Sequence, residues 1–105
     1  MTVSYGKFKV GELVRHKLFG YRGVCVDVDP TFQGTDEWYA TVARSRPPRD
    51  RPWYHVLPHA TDHMTYVAER NLEPDDSAEP IDHLAVPTFF ERFEDGGYVA
   101  RRKAN

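Results

Sequence analysis

The sequence predicts a mainly β domain, a small and partly open β-barrel, on three observations. Short runs of period-two apolar alternation recur along the chain, glycine and proline punctuate them, and only one segment of any length carries helix start signals. With 105 residues there is room for one domain with one modest core, and no repeat or low-complexity tract interrupts it.

The first strand comes from Phe8 to Lys17, a turn feeding an alternation in which Val14, His16 and Leu18 share one face and Leu13, Arg15 and Lys17 the other. Gly20 and Gly23 bracket Tyr21-Arg22, where glycine permits a tight turn or a bulge at positive φ. Val24 to Asp29 alternates again and stops at Pro30, which completes a hairpin signal. The helix is expected to start at Thr35, an N-cap followed by two acids, and to end before Pro47, with Trp38 and Val42 on its buried side. Pro52 to Leu57 and Met64 to Ala68 read as two further strands, and Trp53 joins Trp38 in the expected core. Glu69 to Pro74 fits a single helical turn. Residues 73–83 form an acidic loop, and Val86 to Phe93 offers an aromatic segment that packs back on the barrel. The domain is expected over 7–93, with 94–105 a mobile, fraying tail.

Hydrophobic residues make up 40% of the chain and charged residues 29%, which fits a folded globular protein. No apolar run reaches the ~18 residues that span a bilayer, and the opening residues lack a signal-peptide pattern, so a cytoplasmic location without membrane attachment is expected. A lone cysteine, Cys25, cannot form an internal disulfide; within an apolar strand it is expected to be buried and unreactive. Net charge is −2, but the sign is unevenly spread. Residues 1–54 hold nine Lys and Arg against six Asp and Glu, and residues 55–105 hold five against ten. Either this is ordinary surface scatter or the halves present surfaces for different partners.

The strongest physical candidate for nucleic-acid contact is the stretch from Arg44 to Trp53. Arg44, Arg46, Arg49 and Arg51 stand there among three prolines, so little entropy is lost when guanidinium groups meet phosphate; a solvated linker is the competing reading. Arg15, Lys17 and Arg22 form a second basic group. His55, His59 and His63 have the four-residue spacing of helical metal ligands, but Pro58 opposes a helix and no fourth ligand is near, so neither metal nor cofactor is expected. No nucleophile motif or glycine-rich phosphate loop is present, which argues against an enzyme.

Four blocks, His16 to Val24, Asp27 to Pro30, Trp53 to Leu57 and Tyr66 to Leu72, resemble in order and spacing the heat-shock HspQ family, built on a YccV-like hemimethylated-DNA-binding domain. The likeness runs from about Phe8 to Phe90; the chain departs from it in a longer tail and in Cys25, where an aliphatic residue is usual. The resemblance implies an SH3-like barrel, binding to hemimethylated duplex DNA, and a stress-linked role. In that role the protein promotes degradation of client or denatured proteins, including the replication initiator, by a Lon-type ATP-dependent protease. It also implies a homo-oligomer, with a trimer expected. Methyl-sensitive binding would need a side chain at the base edge, for which Tyr21 and Tyr54 are candidates, though core packing is the stronger expectation for both. For the protein partner the candidate residues are Glu69, Glu73, Asp75 and Asp76 with Phe89 and Phe90. The competing function is an oligomeric stress protein with a chaperone-like role and no specific DNA binding.

Overall fold

A computed structural model of the chain describes residues 6–102. In order, its elements are β1 (Leu13–His16), β2 (Arg22–Asp29), helix α1 (Asp36–Val42), β3 (Trp53–Pro58) and β4 (Thr65–Ala68). A 3-10 turn (Glu69–Asn71), β5 (Leu72–Pro74), the short helix α2 (Val86–Phe89), β6 (Phe90–Glu94) and β7 (Gly97–Ala100) follow. The first five strands form one antiparallel sheet in the order β4-β3-β2-β1-β5; its edges β4 and β5 do not pair with each other, so it stays open. The mainly β class and the open sheet match the sequence, as do the two early hairpin strands. Of the helical turn expected over Glu69 to Pro74, only Glu69–Asn71 forms, and Leu72–Pro74 instead pairs with β1 as β5.

One difference explains several others. The sequence divides β1 between a face with Val14, His16 and Leu18 and one with Leu13, Arg15 and Lys17, and reads β2 as alternating; both strands are buried on two sides. Val14, Cys25, Val56 and Val67 pack with Phe8, Tyr54 and Leu72 on one face. Leu13, Val24, Val26 and Leu57 pack on the other face under Ile81 and Phe90. The covering layer is the two-stranded β6–β7 unit with α2. Residues 97–100, expected to fray, pair with Phe90 to Glu94 instead, and Tyr98 packs on Phe90 at 5.1 Å. Two-sided burial is why Val24-Cys25-Val26 and Val56-Leu57 are continuous apolar runs, a pattern open to fully buried strands. A register shift between Cys25 and Asp27 makes room for the extra residue.

Gly20 and Gly23 have different tasks. Gly20, at φ +76°, closes the β1–β2 turn in the left-handed region. At Gly23 the constraint is crowding, since a Cβ there would meet a Val56 methyl at 2.5 Å and the Leu57 carbonyl at 2.8 Å.

Helix α1 starts as expected: Thr35 caps it, its Oγ1 accepting from the Trp38 amide at 3.0 Å. Its buried side does not follow the expectation. Trp53 is buried, whereas Trp38 is only half-buried and Val42 is 53% exposed. Trp38 and Tyr39 lie against Phe32, at 5.8 and 5.5 Å, and Ala43 at the C-cap is buried with Trp53 and Ala68, so the helix docks through these residues and Val42 falls outside the contact.

Candidate nucleic-acid and partner surfaces

Two neighbouring surfaces, one basic and one apolar, meet at the C-terminal end of α1. The basic one is the loop from Arg44 to Arg51, which is fixed in place. Tyr39 Oη donates to the Pro47 carbonyl at 2.7 Å, Trp53 Nε1 donates to the Pro48 carbonyl at 3.0 Å, and the Phe32 amide donates to the Arg49 carbonyl at 2.9 Å. Its four arginines are not equivalent. Arg49 donates to Asp36 at 2.6 Å and stacks over Phe32 and Tyr39, while Arg46 lies over the Tyr39 ring at 5.7 Å. Arg44 and Arg51 are exposed and have no partner among the described residues. Arg51 lines a shallow depression of about 270 Å³ with Lys7 and Arg70. Arg70 donates to the Ser45 carbonyl at 2.6 Å, which ties it to the loop. Sequence reasoning missed Lys7 and Arg70 because both are remote in sequence from the arginine loop, and only the fold carries them to it.

The second basic group is divided. Arg15 and Lys17 are exposed, with Arg15 opposite Glu73 in the β1–β5 register. Arg22 is committed to the fold: it donates to Asp75 at 2.7 Å and to the Glu79 carbonyl at 2.6 Å. Burial pushes the Asp75 carboxyl up, but hydrogen bonds from Arg22 and Ser77 outweigh it and hold the group below the ordinary aspartate value.

Other expected binding residues are also structural. Tyr54 is fully buried, its hydroxyl donating to Glu69 at 2.6 Å, so it cannot reach a base edge. Burial and that carboxylate raise its pKa. Phe90 is a core residue and Asp75 is buried, which removes both from an accessible partner surface. Glu69 also takes the Lys7 amide at 2.7 Å, and Phe89 is half-buried. Glu73 is half-buried on β5, which leaves Asp76 as the fully exposed acid among Glu69, Glu73, Asp75 and Asp76. Tyr21 is half-buried and shares a 2.9 Å hydrogen bond with Thr65.

The apolar surface is a groove of about 440 Å³ bounded by the β1–β2 turn, α1 and β4. His16 shapes its first wall. Its buried ring accepts the Leu18 and Phe19 amides at Nδ1, at 3.1 and 3.2 Å, so the neutral Nε2–H tautomer is required. With the turn thus drawn in around the imidazole, the Leu18 and Phe19 side chains point out, 60% and 77% exposed. Trp38 and Val42 make the opposite wall, Met64 closes one end, and Trp53 and Tyr66, with ring centres 5.2 Å apart, lie beneath.

The histidine series does not assemble. His55 is on β3, His59 Nδ1 accepts from the Asp82 amide at 2.9 Å, and His63 lies in the β3–β4 loop. His55 instead joins Asp27 and Asp29, with one ligand atom from each within 4.8 Å of the others. Protein donors already serve that cluster, since Asp29 accepts from Tyr66 Oη at 2.7 Å and from His55 Nε2 at 3.1 Å. Cys25 is buried, and burial with nearby Glu12 pushes its thiol up to about 12, so it is not a nucleophile at neutral pH.

Residues 6–97 match the family model described as hemimethylated DNA-binding protein YccV like. The chain belongs to the YccV-like family. Its matched region takes in the whole five-stranded sheet, the arginine loop, the groove and β6, and ends where β7 begins. The family is described by DNA binding, which fits duplex DNA as the partner.

Proposed function

We propose that this YccV-like protein is a non-enzymatic, cytoplasmic stress accessory that binds hemimethylated duplex DNA. In the same reading it promotes degradation of selected or denatured proteins, the replication initiator among them, by a Lon-type ATP-dependent protease, and assembles as a trimer. The observation that carries the DNA reading is the pinned loop on which Arg44 and Arg51 stand exposed and unpaired among the described residues, with Arg70 and Lys7 beside Arg51. A fixed loop holds guanidinium groups in place before DNA arrives, and these cations track the backbone rather than read sequence. Arg15 on β1 and Lys17 just after it are further exposed cations.

Titration of unmethylated, hemimethylated and fully methylated duplexes tests it, with hemimethylated DNA expected to bind most tightly. Arg44→Gln/Arg51→Gln should weaken all three alike, because phosphate contacts position the protein without reading bases. Equal affinity for the three duplexes would remove methyl recognition. In a parallel assay, the purified protease should degrade a client faster with this protein than without it; an unchanged rate would remove the adaptor role.

A further inference from the structure

Beside the basic surface lies the apolar groove of about 440 Å³ along β4, which shares only Arg44 with the residues of the DNA reading. β4 is an edge strand, and the pairing pattern shows which of its backbone groups are free. The Glu69 amide donates to the Pro52 carbonyl, and Trp53 opposes Ala68, Tyr54 opposes Val67 and His55 opposes Tyr66. In an antiparallel ladder, residues alternate between those bonded to the partner strand and those turned away. Val67 and Thr65 therefore aim their N–H and C=O at β3, and Tyr66 and Ala68 turn theirs to the open side. Ala68 is buried, which leaves Tyr66 as the accessible point, directly under the groove. Thr65 bonds Tyr21, which packs on His16 and through it Phe19, while its neighbour Tyr66 packs on Trp38 at 5.8 Å. Adjacent residues of a strand face opposite ways, so side chains of alternating direction on an added strand would meet apolar groove residues either way. Among the described residues no carboxylate lines the groove, and Arg44 is its one wall residue of fixed charge.

We propose that this groove takes an extended apolar segment of another polypeptide, with a carboxylate next to its apolar residues, which adds to the free edge of β4 as a further strand. Main-chain hydrogen bonds to Tyr66 supply direction, the two apolar walls hold alternate side chains, and Arg44 pairs with the acid. Such segments are buried in folded proteins and exposed in unfolded ones, so the site discriminates by folding state. The inference does not depend on DNA binding.

The probe is a short, labelled, blocked peptide of alternating Val and Thr around a central Phe, ending in Asp. Wild-type protein should bind it saturably, and exchange of the Tyr66 amide should slow in the complex. Leu18→Ser/Phe19→Ser, which alters only exposed side chains, should weaken binding at least about tenfold. N-methylating alternate peptide amides of one parity should abolish binding, while the other parity should leave it intact. Several outcomes would overturn the proposal: no saturable binding, equal tolerance of both methylated peptides, or undiminished binding by the double serine variant. The same variant is titrated with duplex DNA. A fall in duplex affinity with peptide affinity unchanged would assign the groove to DNA instead. If the serine substitutions dissolve an oligomer while the peptide never binds, the occupant is a second copy of this chain, and the proposal fails.

Discussion

His16 has a task that its position in an alternating strand does not disclose. The sequence places it beside Val14, and it is indeed buried, but its ring nitrogen is the acceptor that folds the β1–β2 turn and turns Leu18 and Phe19 outward. Burial lowers its pKa below the ordinary value of 6.5. Well above 6.5 both folded and unfolded chains hold a neutral imidazole, so this residue gives no pH dependence there. As the pH drops below 6.5 the unfolded chain takes up a proton that the folded chain refuses, and stability falls until the folded-state pKa is reached. Urea midpoints should therefore decline between about pH 7 and pH 5 more steeply in wild type than in His16→Gln. The amide oxygen of glutamine can keep one backbone bond without titrating. Parallel declines in the two proteins would show that other groups account for the pH dependence.

At the scale of elements, the strands were legible because they carry their own signals: alternation, β-branched residues, and glycine or proline at the ends. Thr35 with Asp36 and Glu37 likewise marked α1. Which surfaces those elements bury was less legible, since it depends on what covers them. Leu13 shares a face with Arg15 and Lys17 in the sequence until Phe90, far along the chain, packs on it. β7, four residues starting at Gly97 and followed by Arg101-Arg102, is too short to declare itself before β6 is there to pair with. The two tryptophans show the same limit. Each sits at a proper start signal, but Trp53 on β3 is covered from both sides while Trp38 on the short α1 forms a groove wall. Iodide should accordingly quench Trp38 fluorescence and spare Trp53, as read in single-tryptophan Phe variants. Trp53→Ala should cost ~3–5 kcal/mol of stability and Trp38→Ala clearly less. Equal quenching of both would mean that α1 lifts off the sheet in solution.

For the whole molecule, the charge asymmetry along the chain resolves into surfaces that only partly follow the division between the two halves. Arg22 belongs to the basic half but is neutralised by Asp75 from the acidic half. Arg70, from the acidic half, joins the arginine loop through Ser45. The site was legible as an arginine run and illegible in its membership, because ion pairing and stacking are tertiary facts. These facts set an expected number for DNA. Removing a single cation–phosphate interaction should lower the slope of log affinity against log salt by about 0.9. Arg44, Arg46 and Arg51 have no anionic partner among the described residues, so replacing all three with Gln should flatten the slope by roughly 2 to 3. Arg49 must leave Asp36 before it can meet a phosphate, so adding Arg49→Gln should change the slope by well under ~0.9. Such exposed loop changes usually cost under ~0.5 kcal/mol each, so the fold should persist, and circular dichroism checks this. A full further step on replacing Arg49 would mean that DNA breaks the Asp36 pair. An unchanged slope in the triple variant would move the phosphate contacts to Arg15 on β1 and Lys17 just after it.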